Sequence, residues 1–356
     1  MIAYTPDGTA IVYNLGDIAW IAASMALVWI MIPGVGLFYS GLLRRKNALS
    51  MIWTSLASIA VVSFQVCSLR YYVNDLLTDT LGKWFFWGYS LAFSETGNAF
   101  IGDLSESDFG PRHVPKIAYH MLDTRIFWSQ GCPRSTFHWQ QPHSRSPFLY
   151  LPADVRGNHV CFISSFKTHA LISVCSCSAA LAVGAIAERG RLGPILVFIF
   201  IWSTIVYDPI ANWTWNTNGW SFKLGGLDFA GGTPVHISSG TAALAISIFL
   251  GKRRGYGTER LAYKPHNTTY VILGTVFLWF GWFGFNGGSA LSANLRAVQA
   301  CIVTNLAASV GGLTWMLWDY RIEKKWSAVG FCSGAVSGLV AITPASGFVG
   351  ARKSHQ

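Results

Sequence analysis

The chain has 356 residues, 52% of them apolar and 15% aromatic, with 26 basic and 16 acidic side chains and a net charge of +10. Charged residues make up only 12%, about half the usual ~25% of a soluble domain, which argues against a water-soluble enzyme. The basic excess lies in short clusters between uncharged runs rather than along one face, which argues against a nucleic-acid binder. The seven Cys match no zinc or disulfide spacing.

A hydrocarbon core of ~30 Å needs about 20 apolar residues per helix, and charge-free stretches of that order recur along the chain. They run from Ile18 to Leu43, from Leu49 to Gln65 with a resumption at Trp84 to Phe93, then from Leu171 to Ala187, Ile195 to Trp213, Thr233 to Leu250, Thr268 to Ala290, Ala297 to Trp318 and Ala328 to Val349. This pattern predicts an all-α polytopic membrane protein of about eight crossings, with residues 1–350 as one membrane domain and 351–356 as a short tail. No cleavable signal peptide is expected, because Met1 to Gly16 lacks a basic start and a small-residue cleavage site.

Lys and Arg stay with cytoplasmic loops, and here they follow every second crossing. Arg44, Arg45 and Lys46 come after the first, Arg189 and Arg191 after the third, Lys252, Arg253, Arg254, Arg260 and Lys264 after the fifth, and Arg321, Lys324 and Lys325 after the seventh. That alternation predicts an extracytoplasmic N-terminus. A soluble helical protein would have no cause to space its basic residues so.

Two stretches break the pattern. Residues 66–83 place Arg70, Asp75, Asp79 and Lys83 inside the second crossing, where each charge costs roughly 2.5–3.5 kcal/mol at the bilayer centre. Removing them joins Ser63-Phe64-Gln65 to Trp84-Phe85-Phe86 and restores one clean helix. From about 105 to 178 the chain is rich in His, Ser, Pro and Arg, without a recurring metal-ligand spacing. Both stretches are expected to be translated noncoding or out-of-frame sequence. Phe148 through His159 can be back-translated so that a one-nucleotide shift reads Phe-Cys-Ile-Tyr-Gln-Leu-Met-Phe-Ala-Ala-Ile-Thr, an apolar helix.

Three motifs carry more than hydropathy. Pro33-Gly34-Val35-Gly36-Leu37-Phe38-Tyr39-Ser40-Gly41 reads as a helix-packing face, since small residues let helices approach closely in lipid. Asp228-Phe229-Ala230-Gly231-Gly232-Thr233-Pro234-Val235-His236 opens the fifth crossing. There a carboxylate ahead of the helix can accept orphan backbone N–H groups, Pro234 suits a first turn, and His236 is an ionisable group inside the membrane. A structural histidine bonded to a neighbouring helix is the competing reading of His236. In Trp279-Phe280-Gly281-Trp282-Phe283-Gly284-Phe285-Asn286-Gly287-Gly288-Ser289, Phe285 and Ser289 share a helix face. A ring and a hydroxyl there can line a cation path, and a lipid-facing aromatic stripe is the alternative.

These residues together resemble the ammonium transporter family (Amt/Mep, related to Rh proteins), its fungal Mep-type members most closely. Further matches are Ala187-Glu188-Arg189-Gly190-Arg191, Ile210-Ala211-Asn212-Trp213-Thr214-Trp215, Gly330-Phe331-Cys332-Ser333-Gly334 and Thr343-Pro344-Ala345-Ser346-Gly347-Phe348. The resemblance implies a helical bundle built as an inverted repeat, with Gly34–Gly41 and Gly281–Ser289 in corresponding opening helices. It also implies an outer recruitment site of Trp215 and Ser289 supported by Asp228, a pore gate including Phe285, and His236 as a pore proton relay. The implied partners are ammonium, methylammonium-like substrates, the lipid bilayer and two further copies in a homotrimer, without nucleic acid, metal or cofactor. The implied location is the membrane, multi-pass, and specifically the plasma membrane. The implied function is recruitment of the ammonium ion, its deprotonation, and passage of ammonia along a hydrophobic, His-lined pore. A bare cation is strongly disfavoured in such a pore, whereas ammonia is tolerated, and potassium cannot lose a proton.

The chain departs from the family in two respects. About eight of the family's eleven crossings are expected here, so the helix bearing a second pore histidine is expected to be missing. His113, His120, His138, His143, His159 and His169 fall in the aberrant stretch, and His266 and His355 flank helices. The second gate phenylalanine is replaced by Val174, although the shifted reading supplies Gln-Leu-Met-Phe. On this basis the chain is expected to conduct little, and a non-functional product of the same family or an ammonium sensor stands as the alternative. A membrane enzyme with His236 as base and Ser289 as nucleophile lacks an orienting third group, so no enzymatic activity is expected.

Overall fold

The computed structural model describes residues 2–4, 10–12, 14–67, 177–253, 255–258 and 264–350. The resumption at Trp84 to Phe93, nearly all of the two aberrant stretches, Val174 and the tail 351–356 lie outside the described residues.

One departure from the all-α expectation precedes the first helix. Strand β1 (Ile2–Tyr4) pairs antiparallel with β2 (Ala10–Val12), Ala3 opposite Ile11. Two apolar triplets flank Pro6-Asp7-Gly8, a turn sequence that favours a hairpin.

Helix α1 (Leu15–Leu42) starts where the Asn14 side chain accepts the Gly16 N–H at 2.9 Å, an N-cap that satisfies one orphan donor. Helix α2 (Arg45–Cys67) follows after a two-residue break, and the short apolar helix α3 (Cys177–Ile186) corresponds to the end of the third expected crossing. The fourth crossing is α4, in which Leu192–Trp202 passes through a π-helical stretch, Ser203–Tyr207, into Asp208–Trp215. A single-turn helix, α5 (Trp220–Lys223), leads into the loop before α6 (Gly232–Leu250), whose first six residues are also π-helical. Helices α7 (Thr268–Gly288), α8 (Leu295–Glu323) and α9 (Ala328–Ile342) complete the described residues.

Among the described residues, five helical runs are long and apolar enough to cross a membrane: Leu15–Leu42, Leu192–Lys223, Gly232–Leu250, Thr268–Gly288 and Leu295–Glu323. The eighth expected crossing, Ala328 to Val349, is shorter than its charge-free length suggested. α9 stops at Ile342 because Pro344 has no N–H to continue the ladder. The next residues form tight turns, with the Phe348 N–H donating to the Ala345 carbonyl at 2.8 Å.

The core of the fold is the antiparallel pair α1 and α7. A methyl at Gly41 would lie 2.6 Å from the Asn267 carbonyl oxygen, one at Gly274 2.5 Å from the Phe38 nitrogen, and one at Gly288 2.6 Å from Ser24 Cβ. Residue numbers rise along α1 as they fall along α7, so the backbones approach closely from Ser24 to Gly41 of α1 along the length of α7. In lipid, where apolar burial between helices gives little, such backbone approach is a principal source of association.

At the end of the bundle where the basic clusters were expected, the loops are tied together by ions. Glu188, whose side chain is 2% exposed, pairs with Arg44 at 2.7 Å and Arg253 at 2.9 Å. It also accepts the Arg44 backbone N–H at 3.1 Å, and Arg189 donates to the Gly251 carbonyl at 2.6 Å. Burial would raise the Glu188 pKa, but hydrogen bonds from Arg44 and Asn47 and the Arg44 charge outweigh it and hold the value at about 2. The loops after the first, third and fifth crossings therefore meet on one face, as the spacing of the basic residues required.

Candidate functional site

The site begins in the loop before α6. Asp228 Oδ1 accepts the N–H groups of Gly231 at 2.7 Å and Gly232 at 2.8 Å, and Oδ2 accepts that of Thr233 at 2.6 Å. One carboxylate thus satisfies three of the donors that a helix start leaves open, and its charge also suits the positive end of the helix dipole. Gly231 has φ +105°, a region that side chains other than glycine rarely enter. A Cβ there would also lie 2.8 Å from Val235 and 3.2 Å from the Trp215 ring.

Trp215, the last residue of α4, donates its indole N–H to the Asp228 carbonyl at 3.0 Å. The ring and the cap therefore belong to one corner. The Asn212-Trp213-Thr214 sequon of the same helix is no glycosylation acceptor in this fold, since Asn212 is fully buried. Beyond the corner, the Val235 and His236 N–H groups both reach the Gly231 carbonyl, at 3.0 and 3.4 Å. This is the wide π turn that carries His236 inward.

The His236 ring stacks on Trp282 with centroids 5.3 Å apart and planes at 21°. It also meets Phe285 at 6.0 Å. Both of its nitrogens are buried without a hydrogen-bond partner among the described residues, an arrangement that costs free energy unless something else bonds to them. Phe285 is 2% exposed. Ser289 donates its hydroxyl to the Phe285 carbonyl at 2.7 Å, which leaves the oxygen's lone pairs as acceptors. The expected residues thus form a chain of contacts: Trp215 to the Asp228–Gly231 loop, that loop to His236, His236 to Phe285, and Phe285 to Ser289. The rival pairing of a Ser289 nucleophile with a His236 base is not formed, because the hydroxyl is committed to Phe285.

Sequence reasoning passed over two residues. In sequence Trp282 is one ring of an aromatic string, yet it is the ring that faces His236. Its indole N–H donates to Thr343 Oγ1 at 2.9 Å, and Thr343 in turn donates to the Leu339 carbonyl at 2.7 Å. Next to Thr343, the Pro344 carbonyl accepts the Phe229 N–H at 2.9 Å, and its ring lies against Gly232. Among the described residues, no group of three or more His, Cys, Asp or Glu could hold a metal ion.

Fold and site together define a polytopic helical membrane protein, with polar groups placed inside an aromatic-lined helix junction. The family model described as Ammonium Transporter Family matches residues 19–354. The chain belongs to the ammonium transporter family. It is 50% identical over 337 residues to Ammonium transporter 1 of Schizosaccharomyces pombe, covering 95% of this chain and 56% of that protein. It is 45% identical over 345 residues to Ammonium transporter MEP2 of Saccharomyces cerevisiae, covering 95% and 57%. Among solved structures, Candida albicans Mep2 superposes with a TM-score of 0.70 at 42% identity, covering 95% of this chain and 62% of that one. Saccharomyces cerevisiae Mep2 superposes with 0.70 at 44%, covering 95% and 64%. The chain therefore spans little more than half the length of these curated relatives.

Proposed function

We propose that this protein moves ammonium across a membrane, recruiting the cation at the Trp215 corner and passing ammonia along the His236 path. The observation that carries the reading is His236 itself: an imidazole at membrane depth, both nitrogens buried and without a partner among the described residues, flanked by two aromatic rings. A neutral imidazole offers one donor and one acceptor, the complement needed by ammonia and by a proton in transit. The relatives named as ammonium transporters support the substrate.

Each group has a distinct task in this reading. The indole face of Trp215 attracts the cation, the Ser289 oxygen replaces part of its hydration, and Asp228 holds the corner in place through backbone N–H groups rather than by touching substrate. Phe285 closes the path against water. Selectivity follows from the proton: ammonium can leave it behind and enter as a neutral molecule, whereas potassium must enter charged. We extend the same reading to a homotrimer in the plasma membrane, with methylammonium as a second substrate.

Uptake of radiolabelled methylammonium by cells lacking their own transporters, expressing this chain, tests the proposal. The expected result is saturable uptake that ammonium competes away and potassium does not. Equal competition by potassium would overturn it. The rate relative to Ammonium transporter 1 of Schizosaccharomyces pombe, expressed alongside, measures whether flux is as low as the sequence led us to expect.

A further inference from the structure

We infer that Thr343 is a positioning residue for the pore path, fixing the plane of Trp282 and through it the face presented to His236; this rests on the transport reading above. Trp282 is 2% exposed and Thr343 fully buried, so the indole N–H has no water to fall back on and takes the Thr343 oxygen at 2.9 Å. The threonine hydrogen is directed to the Leu339 carbonyl at 2.7 Å, which leaves the oxygen lone pairs toward α7 and makes the hydroxyl an acceptor for the indole. The bond joins the middle of α7 to the end of α9, and it restrains Trp282 on the edge that carries its N–H. A ring held at that edge cannot turn about its long axis, and the near-parallel 21° stack on His236 is the consequence.

The same corner also braces the cap. Pro344 accepts the Phe229 N–H and packs on Gly232, so two consecutive residues bear on both sides of the path: Thr343 on the ring facing His236, Pro344 on the loop that leads to it. This explains why Thr-Pro terminates α9, where an ordinary helix stop would need neither residue. Thr343 touches no substrate; it acts through Trp282.

The test compares Thr343→Val, which keeps the shape and removes the hydroxyl, with Thr343→Ser, which keeps the hydroxyl. Both are expressed as the full chain and normalised to protein in the membrane. The readout is the ratio of methylammonium to rubidium uptake, which a loss of folded protein alone does not move. The valine variant is expected to lower that ratio about fivefold, the change an ordinary lost hydrogen bond gives, and serine is expected to restore it. A valine variant with the wild-type ratio would overturn the inference. An electron cryomicroscopy structure of the valine variant supplies a second arm that needs no flux: the angle between the Trp282 and His236 rings should open, and an unchanged stack refutes the positioning role. If the wild type itself fails to discriminate, the transport reading falls and the ring angle alone decides the role of Thr343.

Discussion

The indole N–H of Trp215 and the carbonyl of Asp228 are joined by a 3.0 Å hydrogen bond, so the aromatic corner is held by the residue whose carboxylate starts α6. Asp228→Ala should therefore release three backbone N–H groups at once. Loss of a helix cap costs about 1–2 kcal/mol, and burying the freed donors adds to it. Asp228→Asn keeps one acceptor oxygen and should fall between. Thermal unfolding of detergent-solubilised protein should rank wild type above Asn above Ala, and uptake should fall in the same order. An alanine variant that melts with the wild type would mean that water replaces the cap.

Removing the nitrogens of His236 separates fold from function. Phe at that position keeps a ring against Trp282 and Phe285, and it deletes two buried polar atoms that have no hydrogen-bond partner among the described residues. Stability should be unchanged or slightly raised, since burying an unpaired polar group is unfavourable. Methylammonium uptake should fall roughly tenfold or more, in line with losing a proton-transfer group. A structural histidine would give the opposite pattern, with a lower melting temperature and intact flux.

The α1–α7 contact predicts a sharp contrast between two glycines. Gly274→Ala places a methyl 2.5 Å from the Phe38 nitrogen and 2.7 Å from the Gly34 carbonyl oxygen, backbone atoms that cannot step aside, and overpacking of this kind costs about 1–3 kcal/mol. Gly240→Ala meets nothing within 4 Å and should stabilise α6 by up to ~1 kcal/mol through helix propensity. Unfolding midpoints of the two variants should move in opposite directions.

The sequence made the spans, the basic-loop alternation and the Asp228 cap legible, because each depends on residues close together in the chain. A carboxylate followed by Gly-Gly-Thr-Pro states its own capping geometry. The Trp282–Thr343 bond was not legible, since its partners are 61 residues apart and hydropathy treats a buried Trp and a lipid-facing Trp alike. The π turns at Ser203–Tyr207 and Gly232–Ile237 were also missed, because they share the apolar composition of the α-helix around them. Nor could a one-dimensional reading find that Glu188 gathers Arg44 and Arg253, although it did place the loops bearing them on one side.

The charges in 66–83 and the polar run from about 105 to 178 motivate a prediction at the level of the message. If they arise from retained noncoding or frame-shifted sequence, the spliced transcript should join the codons of Gln65 and Trp84 directly. It should also read Phe148 to His159 in the alternative frame as Phe-Cys-Ile-Tyr-Gln-Leu-Met-Phe. Sequencing of complementary DNA across these positions decides the matter. A transcript encoding both stretches as they stand would show that they belong to the mature protein.

Glu188 gives the clearest pH dependence outside the membrane spans. Its folded-state value of about 2 lies below the ordinary 4.5, so the folded protein binds its proton less readily than the unfolded chain does. Stability from this group is therefore fully present above about pH 4.5 and is lost as pH falls from there through about 2. Glu188 also adopts φ +67°, a strained region for a residue with a side chain, which persists here because Arg44 and Arg253 hold the carboxylate from two loops. Protonation should weaken both ion pairs together and release that strain. Wild type should melt above Glu188→Gln by a constant margin from pH 7 to pH 5, and the margin should shrink steadily below pH 4.5. A margin that stays flat down to pH 3 would show that packing of the side chain, rather than its charge, ties the three loops together.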